Sequence, residues 1–164
     1  MDEATIVALG GNLALDGAPV QAVLEAALAR FPAAGLEVVA RSGWWRSAAW
    51  PDPAEPPYIN GVALVRTDLS SLDILDALLQ IEAAGGRRRG EANAARTLDL
   101  DLIARGREVL DLPGLVLPHP RAAERRFVMG PLAEIAPDWR HPVSGRTAAE
   151  LARSASVGAD AAPI

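Results

Sequence analysis

The sequence predicts an α+β domain in which helices cover one mainly antiparallel sheet. Three observations carry this reading. Four segments alternate apolar and polar residues with period two, two intervening segments repeat apolar residues at helical spacing, and the order is β-α-β-β-α-β. That order is the split βαβ of a ferredoxin-like αβα sandwich. At 164 residues, half of them hydrophobic and 23% charged, one domain over 1–157 is expected, followed by a frayed tail at 158–164.

Residues 5–9 read as the first strand, closed by the turn signal Gly10-Gly11-Asn12. Pro19 suits the first position of a helix. Val20, Val23, Leu24, Ala27, Leu28 and Phe31 then line one apolar face. Residues 36–46 form the second strand. The stretch 48–57 holds Pro51, Pro53, Pro56 and Pro57, so it is a long loop of the kind that often serves as a lid. Residues 58–66 form the third strand. Ser70 and Asp73 make a capping pair that opens the second helix. Leu72, Leu75, Leu78, Leu79 and Glu82 lie along or beside its inner face, and Gly85-Gly86 ends it. An arginine-rich loop over 85–95 leads into the fourth strand. A turn at Gly106 and a short strand near 108–110 follow. Residues 121–135 read as partly helical, interrupted at Gly130-Pro131, and 147–154 as a last short helix.

Composition removes several chemistries. The chain has no cysteine, which excludes disulfides, thiolate metal sites and a cysteine nucleophile. Every one of its 16 basic residues is arginine, which excludes a P-loop lysine and Schiff-base catalysis. Nine of those arginines fall between Arg87 and Arg126, although the net charge is −5. A local arginine cluster on an acidic chain points to a small anionic ligand, because nucleic acid calls for a broad basic face. The acidic start is unlike a secretory signal, and no apolar run reaches membrane-spanning length. A cytoplasmic location is expected.

The run RTLDLDLI at 96–103 carries the most information. As a strand it turns Leu98, Leu100 and Leu102 to a core and sets Asp99 and Asp101 together on the other face. Same-face neighbours stand roughly 6.5–7 Å apart, a separation at which two carboxylates hold one divalent cation or help hold a pair. The plainer alternative is the wet face of an edge strand. His119 sits between prolines in LPHPR, which aims its ring; a phosphate contact and a structural hydrogen bond are equally good readings there. His141 is read as surface. Arg121 and Arg125, four apart, share a face if helical. Tyr58 and Asn60 share a strand face, and with Phe127 they suit a flat heterocycle; plain core packing is the alternative for both aromatics.

Tyr58-Ile59-Asn60, Glu82 with Gly86-Arg87-Arg88-Arg89, RTLDLDLI, LPHPR-x-x-E-R-x-F and PLAEIAP follow one another in a set order. In this the chain resembles the 6-hydroxymethyl-7,8-dihydropterin pyrophosphokinases of folate biosynthesis, from Ile6 to about Trp139. The resemblance implies transfer of pyrophosphate from ATP, the co-substrate, to the pterin's hydroxymethyl oxygen, with release of AMP. It implies that Asp99 and Asp101 hold two Mg²⁺ ions and that Arg87 and Arg96 serve catalysis. Glu82, Arg89, Arg96, His119 and Arg125 would bind or orient ATP. Tyr58 and Phe127 would stack on the pterin, Asn60 would bond its edge, and Ser47 would line its pocket. Loops 48–57 and 85–95 would close over the substrates. The expected partners are these small molecules, with no nucleic acid, no membrane and a monomeric state. Gly11, Leu79, Asn93-Ala94-Ala95, Gly114 and Val116 depart from residues common in the family. A non-catalytic domain that binds pterin and nucleotide is the alternative, and an RNA-binding ferredoxin-like domain a more distant one.

Overall fold

The computed structural model describes residues 4–14, 17–49, 52–85 and 98–164. Among them the strands are β1 (Thr5–Gly11), β2 (Glu37–Arg41), β3 (Trp45–Ser47), β4 (Tyr58–Arg66), β5 (Asp99–Arg105), β6 (Leu110–Leu112), β7 (Leu115–Leu117) and β8 (Ala162–Pro163). The helices are α1 (Val20–Ala29), α2 (Ser71–Ala84), α3 (Arg126–Ile135) and α4 (Ala148–Ser154). The main sheet runs β5-β1-β4-β3-β8, with β2 also paired to β4, and all of its pairs are antiparallel. The fold is the expected mixture of helices and antiparallel sheet.

Two cores flank the sheet. Val7, Leu9, Leu98, Leu100 and Leu102 face α1 and α2, meeting Leu24, Phe31, Ile74 and Leu78. Ile6, Ala8, Val62, Leu64 and Ile103 face α3 and α4, meeting Met129, Leu132, Trp139 and Leu151. Each large side chain so buried contributes about 1.5–3 kcal/mol, which makes the alternation in β5 a strong register signal. Slipping that strand by one residue would expose three leucines and bury two aspartates.

Several boundaries differ from expectation. The second strand is broken into β2 and β3 at residues 42–44. Ser42 Oγ takes the Val62 N–H at 2.9 Å and donates to the Gly43 carbonyl, replacing ladder bonds with side-chain ones. Trp44 folds over Gly61, where a Cβ would lie 2.7 Å from its ring. On α2 the buried row is Ile74, Leu78, Ile81 and Glu82, while Leu72 (53%) and Leu79 (36%) are exposed. Spacing from the Ser70 cap, whose Oγ accepts the Asp73 N–H, sets that face; the number of leucines does not. The short strand expected near 108–110 is instead the first half of the β6–β7 hairpin. Helix α3 continues through Pro131, whose missing N–H is offset by burial of the whole turn from Val128 to Leu132. Arg121 and Arg125 flank a 3-10 turn at Ala122–Glu124, so they do not share a helix face. The tail expected to fray instead supplies β8, antiparallel to β3. No helix among the described residues is long and apolar enough to cross a membrane.

Candidate active site

Strand register gathers the candidate residues at one end of the sheet. Gly10 pairs with Asn60 on one side and with Asp99 on the other, and Ala8 pairs with Asp101. Ser47 pairs with Tyr58, and Trp45 with Asn60. Directly opposed residues of antiparallel strands project to the same face. Ser47, Tyr58, Asn60, Asp99 and Asp101 therefore lie together on the face that α3 covers further along, and the first turn of α3 adds Phe127. Gly10 is the spacer between carboxylate and amide, since a Cβ there would collide with the Asn60 side chain. Asn12, buried just beyond, donates from Nδ2 to the Pro56 carbonyl at 3.2 Å and ties the end of β1 to loop 48–57. Sequence reasoning gave Asn12 no role beyond a turn.

Strand β5 is an edge, and its outer side is braced by Glu82. That carboxylate is 3% exposed, and its Oε2 accepts the Leu100 N–H at 2.7 Å. Glu82 was expected beside ATP; the described geometry puts it behind the strand that carries Asp99 and Asp101. The loop 85–95, with Arg87 and Arg89, and Arg96 beyond it, lie outside the described residues apart from Gly85.

His119 approaches from the other side. Its N–H donates to the Ile103 carbonyl at 2.8 Å, which docks the LPHPR segment on β5. Its Nδ1 accepts the Arg121 N–H at 3.2 Å, so the neutral ring carries its proton on Nε2. Burial pushes the imidazole below its ordinary pKa of 6.5, Arg125 and Arg121 push the same way, and Asp99 opposes them. Asp99, Arg125 and His119 thus share one electrostatic neighbourhood. The Arg125 guanidinium also lies over the Phe127 ring, 5.7 Å from its centroid. His141, read as surface, is half-buried: it sits edge-on to Trp139 and accepts the Val143 and Ser144 N–H groups, and burial lowers its pKa too.

These two histidines set an expected pH dependence. Both bind protons more weakly folded than unfolded, so below about pH 6.5 the unfolded chain holds more protons. Stability should fall as pH drops from 6.5 towards their lowered values and be level for these groups above it. One proton contributes at most about 1.4 kcal/mol per pH unit. His119→Asn should make the slope of unfolding free energy against pH shallower between about pH 5 and 6.5, measured by urea titration. An unchanged slope would contradict the burial of His119.

The β3 side is held by Glu134 of α3. Its Oε2 accepts the Gly43 N–H at 2.6 Å and its Oε1 the Trp45 indole N–H at 3.1 Å. Gly130 lets the Trp45 ring lie against the helix, where a Cβ would stand 2.5 Å from it. Sequence reading saw Glu134 only as part of PLAEIAP, because its partners on β3 and just before it lie about 90 residues away in the chain.

The donor set fits a hard cation. Among the described residues no cluster of three or more histidine or carboxylate side chains forms a metal cage. Two aspartates leave most coordination positions to water and phosphate oxygens, which is how Mg²⁺ is commonly held and Zn²⁺ is not.

A carboxylate pair, an aromatic and amide corner and a histidine–arginine rim thus meet at one end of the antiparallel sheet of an α+β domain. The family model described as 7,8-dihydro-6-hydroxymethylpterin-pyrophosphokinase (HPPK) matches residues 6–137, and the chain belongs to this family. It is 46% identical over 147 residues to the 2-amino-4-hydroxy-6-hydroxymethyldihydropteridine pyrophosphokinase of Synechocystis sp., covering 89% of this chain and 73% of that one. To the Pseudomonas aeruginosa protein of the same name it is 44% identical over 151 residues, covering 92% and 91%. Among solved structures, Plasmodium falciparum HPPK-DHPS A437G with pteroate superposes with a TM-score of 0.69 at 11% identity. That likeness establishes the fold; it covers 92% of this chain, which spans only 42% of the Plasmodium chain.

Proposed function

We propose that the chain transfers pyrophosphate from ATP to the hydroxymethyl group of 6-hydroxymethyl-7,8-dihydropterin in folate synthesis, and that Asp99 and Asp101 organise the phosphate side. Family membership supports the reaction. The observation that carries the residue assignment is the placing of Asp99, Asp101, Asn60, Tyr58 and Ser47 on one face at one end of the sheet. The hydroxymethyl oxygen forms a bond to the β-phosphorus. The bond from that phosphorus to the oxygen shared with the α-phosphate breaks, AMP leaves with that electron pair, and the hydroxyl proton is released.

Asp99 and Asp101 would hold Mg²⁺, two ions in the fullest form of the proposal, and bound Mg²⁺ would neutralise charge on the triphosphate. The neutral His119 offers its Nε2–H as a donor at the phosphate side, beside the permanent charge of Arg125. Arg87 and Arg96 would steady the transferred group, and Arg89 and Glu82 the nucleotide. Tyr58 and Phe127 would stack on the pterin, the Asn60 amide would read its donor and acceptor edge, and Ser47 would close the pocket. The chain's own contribution is chiefly alignment of hydroxyl and phosphorus to within about 3–3.5 Å and exclusion of water under the loops. The proposal includes a cytoplasmic monomer, over 1–157 at least, acting on small molecules and not on nucleic acid or membranes.

Calorimetry tests the assignment. ATP should bind measurably tighter with Mg²⁺ than without it, and the pterin should bind only once nucleotide is present. Mg²⁺-independent ATP binding with no response to pterin would favour a non-catalytic domain instead.

A further inference from the structure

We infer that the C-terminal segment 157–164 is a working wall of the pterin side of the site, with Gly158 and Asp160 as positioning residues; this rests on the assignment of Phe127 and Ser47 to the pterin. Three observations place the segment there. First, its backbone is tied to the start of α3: the Arg126 N–H donates to the Val157 carbonyl at 2.9 Å, and the Val157 N–H to Glu124 at 2.9 Å. Second, Gly158 adopts φ +66° and lies against the Phe127 ring, where a Cβ would stand 2.5 Å from Cδ1. Positive φ and the missing Cβ together let main chain reach the ring, so glycine is required twice over. Third, the segment grips β3 and the loop after it. Ala162 and Pro163 pair with Arg46 and Trp45, the Ile164 N–H donates to the Trp44 carbonyl at 3.0 Å, and Asp160 Oδ2 accepts the Ala48 N–H at 2.7 Å.

The Arg126 side chain locks the arrangement, donating from Nε to Ala161 and from NH1 to Ala152, each at 3.0 Å. Ala161 is buried. One short segment therefore backs Phe127, extends the strand that ends in Ser47, and anchors the root of loop 48–57. A groove of about 580 Å³ separates it from that loop, with Ser47, Pro57, Asp160 and Ile164 among its walls. Stacking demands a ring held in one orientation, and this segment supplies that on the pterin side. Its bonds run to the start of α3, to β3 and to the root of loop 48–57, all on the pterin side, so its effect should be confined to one substrate.

Steady-state kinetics of the whole chain with each substrate varied tests the inference, with thermal unfolding alongside. Asp160→Ala should raise the pterin KM about three- to tenfold, the range of one lost hydrogen bond of ordinary net strength at an exposed site, and leave the ATP KM unchanged. Asp160→Asn, which keeps an acceptor oxygen, should restore the pterin KM. Gly158→Ala should raise it about tenfold or more through the displaced ring. A lowered unfolding temperature with an unchanged pterin KM, or ATP and pterin KM rising together, would overturn the positioning role. Failure of the unaltered chain to form AMP is read before any variant, and would overturn the pterin assignment and this inference with it.

Discussion

Asp101→Ala should give a folded protein that forms AMP from ATP and the pterin at least about 10³-fold more slowly than the parent, the loss of roughly 4 kcal/mol of transition-state stabilisation. Folding should survive because β5 is held along its whole length by other contacts. Leu98, Leu100 and Leu102 anchor the strand in the α1–α2 core, β1 pairs along its inner side, and Glu82 braces Leu100 from outside. Unfolding free energy should stay within about 1 kcal/mol of the parent, since Asp101 is only half-buried and its removal leaves no cavity in either core. Turnover should collapse because one of the two oxygen donors proposed for the cation is gone, and the substrate's charge is then met by fixed cations alone. Asp101→Asn should fail nearly as badly, as an amide keeps the shape and loses the charge. Product assays with circular dichroism of both variants check this. Normal turnover by either would remove the carboxylate pair from the mechanism.

Gly10→Ala should lower turnover about 10²-fold, the effect of displacing a reacting group by about an ångström. A strand glycine replaced by alanine ordinarily stabilises, by about 0.5–1 kcal/mol. Here the added methyl would enter the space of the Asn60 amide, on the residue that pairs with both Asn60 and Asp99. Overpacking of this kind costs about 1–3 kcal/mol, so the unfolding temperature should fall modestly while activity falls far more. The pterin KM should rise, because Asn60 must rotate away. Parental kinetics in a well-folded Gly10→Ala protein would show that Asn60 and Asp99 need no spacer.

How legible all this was depended on the physics behind each element. The β5 pattern was readable because period-two alternation with three leucines permits one register, and that register puts both aspartates on one face. Tyr58 and Asn60 followed from the same rule on β4. Glu82 was legible as an inward-facing residue of α2 while its bond to the Leu100 N–H was not, because helical spacing shows which side a residue faces and not which backbone group it meets. The break between β2 and β3 depends on Ser42 bonding across to Val62, a tertiary contact without a local signature. The tail looked frayed because its sequence is small and nearly apolar; its order comes from Arg126, Phe127 and β3, all distant in the chain. Glu134 and Asn12 were missed for the same reason.

The most direct measurement follows the β-phosphorus. With ATP carrying labelled β-phosphate, Mg²⁺ and 6-hydroxymethyl-7,8-dihydropterin, the label should appear in the pterin diphosphate, with one AMP formed for each pterin consumed and none after chelation of the metal. Release of labelled ADP or free pyrophosphate without a labelled pterin, or equal turnover in the presence of chelator, would contradict an aspartate-held cation guiding transfer between nucleotide and pterin.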